Sequence, residues 1–99
     1  MSVAIVRYRV KPGRTDENAE LVRAVYCELA AERPAGFRYT TFVLEDGVTF
    51  VHVAIGEDGR DSPLPRLPAF QRFRQDIAER CDELPHTTRL AERIGSYRL

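Results

Sequence analysis

The chain has no tryptophan, a single methionine, two cysteines, and Lys11 as its only lysine. Two cysteines allow at most one intramolecular bridge. Helical spacing sets Cys27 on the polar side of one predicted helix and Cys81 on the apolar side of another, so no bridge is expected. The cysteines and the two histidines, His52 and His86, form neither a C-x-x-C nor an H-x-x-x-H spacing, and no metal centre is expected. No apolar run approaches the roughly 20 residues that span a bilayer. No charged segment leads into a long apolar one near Met1, so a secretory leader is not expected either, and the expected compartment is the cytoplasm. Charge of one sign is also lacking. Fifteen basic and 15 acidic residues leave a formal net charge of zero, which removes the electrostatic case for nucleic acid or an anionic membrane as partner. There is no Gly-rich phosphate loop, nucleophile elbow or paired-carboxylate signature.

What is present reads as one globular domain over residues 1–99, with 43% apolar and 30% charged residues. Val3 to Val10 is a β-branched run of strand length, ended by Pro12-Gly13. Thr15 is a candidate N-cap, and Asp16 and Glu17 place negative charge in the first turn of a helix. Leu21, Val22, Val25 and Leu29 then recur at helical spacing, flanked by Asn18 and Tyr26 and stopped by Pro34 and Gly36. Phe37 to Leu44 and Val48 to Ile55 are two strands joined across Asp46-Gly47, a pair suited to a tight type I′ turn. The connection from Gly56 to Pro68 is long enough to be a lid or binding loop. Leu67, Phe70, Phe73, Ile77, Cys81 and Leu84 stripe a second helix up to Pro85, with Arg72, Arg74 and Arg80 on its solvated, self-neutralising face. Ile94, Tyr97 and Leu99 allow a last strand. The order β-α-β-β-α-β predicts an α+β ferredoxin-like sandwich, a four-stranded antiparallel sheet with two helices on one face.

A two-residue turn at Asp46-Gly47 sets Thr41 opposite His52, Val43 opposite Phe50 and Tyr39 opposite Ala54, with Phe42 facing Val51 on the other side. Both faces are rich in apolar side chains. Two helices cover one face only, and the second would be an apolar patch of several hundred Å², more than a soluble monomer usually exposes. A homodimer through that face is the expectation. The alternative is a monomer with the long loop folded over it.

The element order, the first strand ending in Lys11-Pro12-Gly13, the acidic helix start, the Phe70 helix, the segment Leu44-Glu45-Asp46-Gly47-Val48-Thr49-Phe50-Val51-His52 and the ending Gly95-Ser96-Tyr97-Arg98 resemble the dimeric α/β-barrel superfamily, in particular its antibiotic-biosynthesis-monooxygenase-type domains and an uncharacterised bacterial branch of them. The resemblance covers nearly the whole chain. It implies a homodimer with two sheets facing each other, and a pocket in each subunit between sheet and helices. It also implies chemistry without a cofactor on a small aromatic or quinone-type substrate. Haem-degrading members of the superfamily carry a histidine on the second helix, an asparagine on the first strand and a tryptophan. Here Phe73 stands near the first position, and the other two residues have no counterpart.

His52, mid-strand in an apolar run, is the leading candidate for a catalytic base, since an imidazole takes a proton near neutral pH. Tyr39 is the candidate oxyanion donor. Arg7 is the candidate for fixing a carboxylate or phenolate. Tyr8, Thr41, Phe50, Phe70 and Phe73 are candidate substrate contacts. A base beside an oxyanion donor suits direct reaction of a deprotonated phenol with dioxygen. The competing reading is a non-catalytic dimeric ligand-binding or structural module. In it His52 is a structural histidine satisfied by Thr41, Arg7 lies over the sheet with its head in water, and Phe70 and Phe73 are core.

Overall fold

A computed structural model describes residues 1–98. Strand β1 (Ser2–Val10) leads to helix α1 (Thr15–Glu32), strands β2 (Phe37–Val43) and β3 (Thr49–Gly56), a 3-10 turn (Leu64–Arg66), helices α2 (Pro68–Gln75) and α3 (Ile77–Arg80), and strand β4 (Cys81–Leu90). All strand pairs are antiparallel, in the order β2-β3-β1-β4. This is the predicted α+β ferredoxin-like order.

Four local details differ from the sequence reading. Thr15 does not cap α1. Its hydroxyl donates instead to the carbonyl of Gly47 at 2.7 Å, and Arg14 precedes the helix without a side-chain cap. The hairpin keeps the expected register, with Thr41 opposite His52 and Val43 opposite Phe50. Its turn is not type I′, however. The Gly47 N–H donates to the Leu44 carbonyl at 2.9 Å, and Gly47 takes a positive φ of 75° where Asp46 does not. Asp46 instead turns its carboxylate onto the Val48 and Thr49 N–H groups, which stabilises the bend from the side chain.

The third difference is the larger one. The helix expected to run to Leu84 breaks at Asp76, and Cys81 begins a strand. The open edge of β1 offers hydrogen-bonding partners to this segment, with Cys81 opposite Val10 and His86 opposite Arg7. Ladder formation there outweighs the helical period of the side chains. Pro85 is accommodated because β4 is an edge strand and its ladder is irregular between Arg7 and Arg9. Finally, Ile94 and Tyr97 lie beyond β4, largely exposed and in no strand, while Leu99 lies outside the described residues.

The helices pack on the face that carries Tyr8, Val10 and Phe50, and the core forms there with Val22 and Val25 of α1, Leu67, Ala69 and Phe73. Within the long connection, Leu64 and Leu67 are buried and pin it to this layer. The opposite face holds Val3, Ile5, Val51, Val53 and Ile55, none of them fully buried. At its margins Phe42 is 56% and Leu90 49% exposed.

Candidate functional site

Strand register decides which candidates meet. Val6 stands opposite His52 and Tyr8 opposite Phe50, so the side chains of Tyr8, Phe50 and His52 share the helix-covered face. Arg7 pairs with Val51 and projects from the other face. The sequence leaves open whether Arg7 or Tyr8 joins His52, because the register of β1 against the hairpin is not local; alternation along β1 puts Tyr8 on the His52 face and the candidate Arg7 on the other.

His52 is buried between two tyrosines. Its Nε2 lies 2.7 Å from the Tyr8 hydroxyl, and its Nδ1 lies 2.6 Å from the Tyr39 hydroxyl and 3.1 Å from Thr41 Oγ1. Thr41 Oγ1 is in turn 2.7 Å from the Tyr26 hydroxyl. Rings crowd the imidazole. Phe73 is 5.6 Å from it centroid to centroid, and Tyr8 stacks on Phe50 at 5.6 Å. Burial pushes the His52 imidazole down from 6.5 to about 4, so it is neutral at pH 7. Burial also raises Tyr8 and Tyr39 above their ordinary value of 10, so both hydroxyls keep their protons.

Beyond His52 and Tyr39 opens a cavity of about 480 Å³ between the sheet and α2–α3. Val6, Leu64, Phe70, Phe73, Ile77 and Leu84 make most of its wall apolar, and among the described residues Arg74 contributes the one charged side chain of the lining. Of the candidate contacts, Phe70 and Phe73 line this cavity. Tyr8 and Thr41 hold His52 from the protein side. Phe50 stacks beneath Tyr8 and borders a separate groove by α1. His86 is exposed on β4. Among the described residues, no three His, Cys, Asp or Glu side chains gather as a metal-ligating group.

Two further residues of the cluster escaped the sequence reading. Asn18, in α1, is fully buried and donates from Nδ2 to the Tyr8 hydroxyl at 2.8 Å. Arg80 is only 1% exposed, not solvated as its acidic neighbours suggested. Its Nε donates to Asn18 Oδ1 at 3.1 Å and an Nη donates to the Phe73 carbonyl at 2.6 Å. A signal was there. Phe73, Ile77, Arg80 and Leu84 share one helical stripe, so Arg80 sits where an apolar residue is expected.

Fold and site together define an α+β sandwich holding an apolar cavity with a polar inner end. Solved structures share the architecture. A candidate antibiotic biosynthesis monooxygenase from Nitrosomonas europaea superposes with a TM-score of 0.77 at 20% identity, over 93% of this chain and 98% of that one. Rv0793 from Mycobacterium tuberculosis gives 0.72 at 20% identity over 97% and 98%. SnoaB, a cofactor-independent oxygenase from Streptomyces nogalater, gives 0.67 at 18% identity over 95% and 94%. The chain therefore has the fold of antibiotic-biosynthesis-monooxygenase-type domains, as its sequence resemblance implied. No protein-family model matches the chain, and no curated protein matches it in sequence.

Proposed function

We propose that this protein is a cofactor-independent oxygenase acting on a small phenolic or quinone-type aromatic, bound in the cavity with its oxygen toward Tyr39. The observation that carries this reading is the cavity itself. It is about 480 Å³, apolar along its wall, and closes on a tyrosine–histidine pair. That volume lies within the range of small-molecule sites. The likeness in fold to SnoaB supports the reaction type.

An aromatic phenolate is electron-rich enough to react with dioxygen directly. In the anthrone case one oxygen atom becomes a ring carbonyl, the two hydrogens of the methylene leave with the other oxygen as water, and the substrate carbon supplies all the electrons. The protein's part is to bind the phenolate, exclude water and hold its charge. Tyr39 would donate a hydrogen bond to the phenolate oxygen, with His52 behind it. Removal of the substrate proton by His52 itself would require freeing a ring nitrogen from its tyrosine. Binding of the already ionised phenolate suits the arrangement better, given a buried imidazole of low basicity.

Oxygen uptake with a panel of phenols and anthrones tests the proposal. Turnover by the wild type and a loss of at least about tenfold in Tyr39→Phe are expected. Absence of turnover across the panel, with ligands still binding, would favour the second reading. That reading is a non-catalytic binding module, and the full hydrogen bonding of His52 is the observation in its favour. We also propose that the uncovered sheet face pairs with a second copy of the chain.

A further inference from the structure

We infer that the buried Arg80–Asn18–Tyr8 chain fixes which nitrogen of His52 carries the proton, and so makes the Tyr39 hydroxyl a hydrogen-bond donor to the ligand. The direction of each bond follows from the donors and acceptors available. A guanidinium only donates, so the Asn18 oxygen must face Arg80, at 3.1 Å. The Asn18 amide nitrogen is thereby turned to Tyr8, at 2.8 Å, and donates to its oxygen. Tyr8, 1% exposed, must then place its own proton on an acceptor, and its other partner is His52 Nε2 at 2.7 Å. Nε2 accepts, so the proton of the neutral imidazole sits on Nδ1 and is donated to the Tyr39 oxygen at 2.6 Å, with Thr41 Oγ1 alongside at 3.1 Å. Tyr39 accepts from the imidazole, and its own proton is left to turn from Thr41, its other side-chain hydrogen-bond partner, to an oxygen in the cavity it lines.

The opposite arrangement has Nε2 donating to Tyr8. The Tyr8 oxygen would then accept twice, and its hydroxyl proton would be buried without an acceptor, an arrangement that costs free energy. The hydrogen bonds of Arg80 run to two neutral oxygens, so its positive charge sits at the head of the chain and polarises each bond toward Tyr39. Arg80, Asn18 and Tyr8 are in this sense positioning residues. The ligand such a site selects has an acceptor oxygen, a phenolate or a quinone carbonyl. This last step rests on the proposed function; the direction of the chain does not.

Nitrogen-15 NMR correlating the ring carbon-bound protons of His52 with its nitrogens reads the tautomer with no ligand present. The wild type is expected to show Nδ1 protonated and Nε2 bare; the reverse pattern overturns the inference. Asn18→Asp sets a carboxylate against Arg80, where it stays ionised, and supplies Tyr8 with an acceptor. Tyr8 then turns its proton to Asp, Nε2 becomes the protonated nitrogen, and Tyr39 must donate to Nδ1. A folded Asn18→Asp protein with the wild-type tautomer overturns the inference. Should that variant not fold, Tyr8→Phe removes the donor to Nε2. Loss of the single fixed tautomer supports the inference, and its persistence overturns it. With 1-naphthol as probe, Asn18→Asp is expected to weaken binding on the order of tenfold. If the wild type shows the expected tautomer and binds no naphthol, the functional reading fails while the hydrogen-bond direction stands.

Discussion

His52 enters the folded state neutral and carries no charge into a ring of aromatic side chains. In the unfolded chain it takes a proton near 6.5, whereas burial holds the native value at about 4. Between these values the unfolded chain binds more protons than the native one, so stability falls as pH falls through that window. Its contribution is intact above the unfolded value and gone below the native one. The difference amounts to about 3 kcal/mol. Urea denaturation at pH 7 and at about pH 4.5 should show the loss, and His52→Gln should flatten it. A wild-type stability constant across that interval would contradict the assigned burial effect. At the same scale, His52 and Tyr39 could be picked out as a pair because a hairpin register brings them to one face. Asn18 and Arg80 stand out only as polar side chains along apolar stripes, which does not say what they bond to across the fold.

At the level of elements, the β2–β3 hairpin was legible almost in full, because strand alternation and a turn pair are both local. Its bend tests the argument. Gly47 holds a φ of 75°, and a Cβ there would meet nothing within 4 Å. The cost of Gly47→Ala is therefore conformational, about 1–2 kcal/mol, and should appear as a lower urea midpoint with an unchanged m-value. A neutral substitution would mean that the bend has another way to form. The segment after Asp76 was misread for the complementary reason. Its side chains recur at helical spacing, yet β1 has an unsatisfied edge, and the chain pairs with it from Cys81 onward. This switch ends the helical layer at Arg80 and sets Leu84, Pro85 and Thr87 against the cavity.

For the whole molecule the question is the second face of the sheet. Val3, Ile5, Val51, Val53 and Ile55 lie there with Phe42 and Leu90 exposed at the margins, while the helices all pack on the other side. An isologous pairing of two such faces would remove this surface from water. Sedimentation at micromolar concentration should give a dimer. Phe42→Glu should shift it toward monomer and leave the His52 tautomer as in the wild type, since Phe42 pairs with Val51 and lies away from the imidazole. A well-folded wild-type monomer at that concentration would refute the pairing. Arg7 belongs to this face and not to the cavity.

The order of elements, the hairpin register, the two-sided apolar sheet and the pairing of His52 with Tyr39 follow from the amino-acid sequence, since each rests on periodicity or turn chemistry within a few residues. The placement of Arg7, the end of the second helical segment at Arg80, and the run of hydrogen bonds from Arg80 through Asn18 and Tyr8 to His52 follow only from the folded chain. These depend on which strand edge is free and on which buried donor finds which buried acceptor. Contacts between residues distant in the chain settle both.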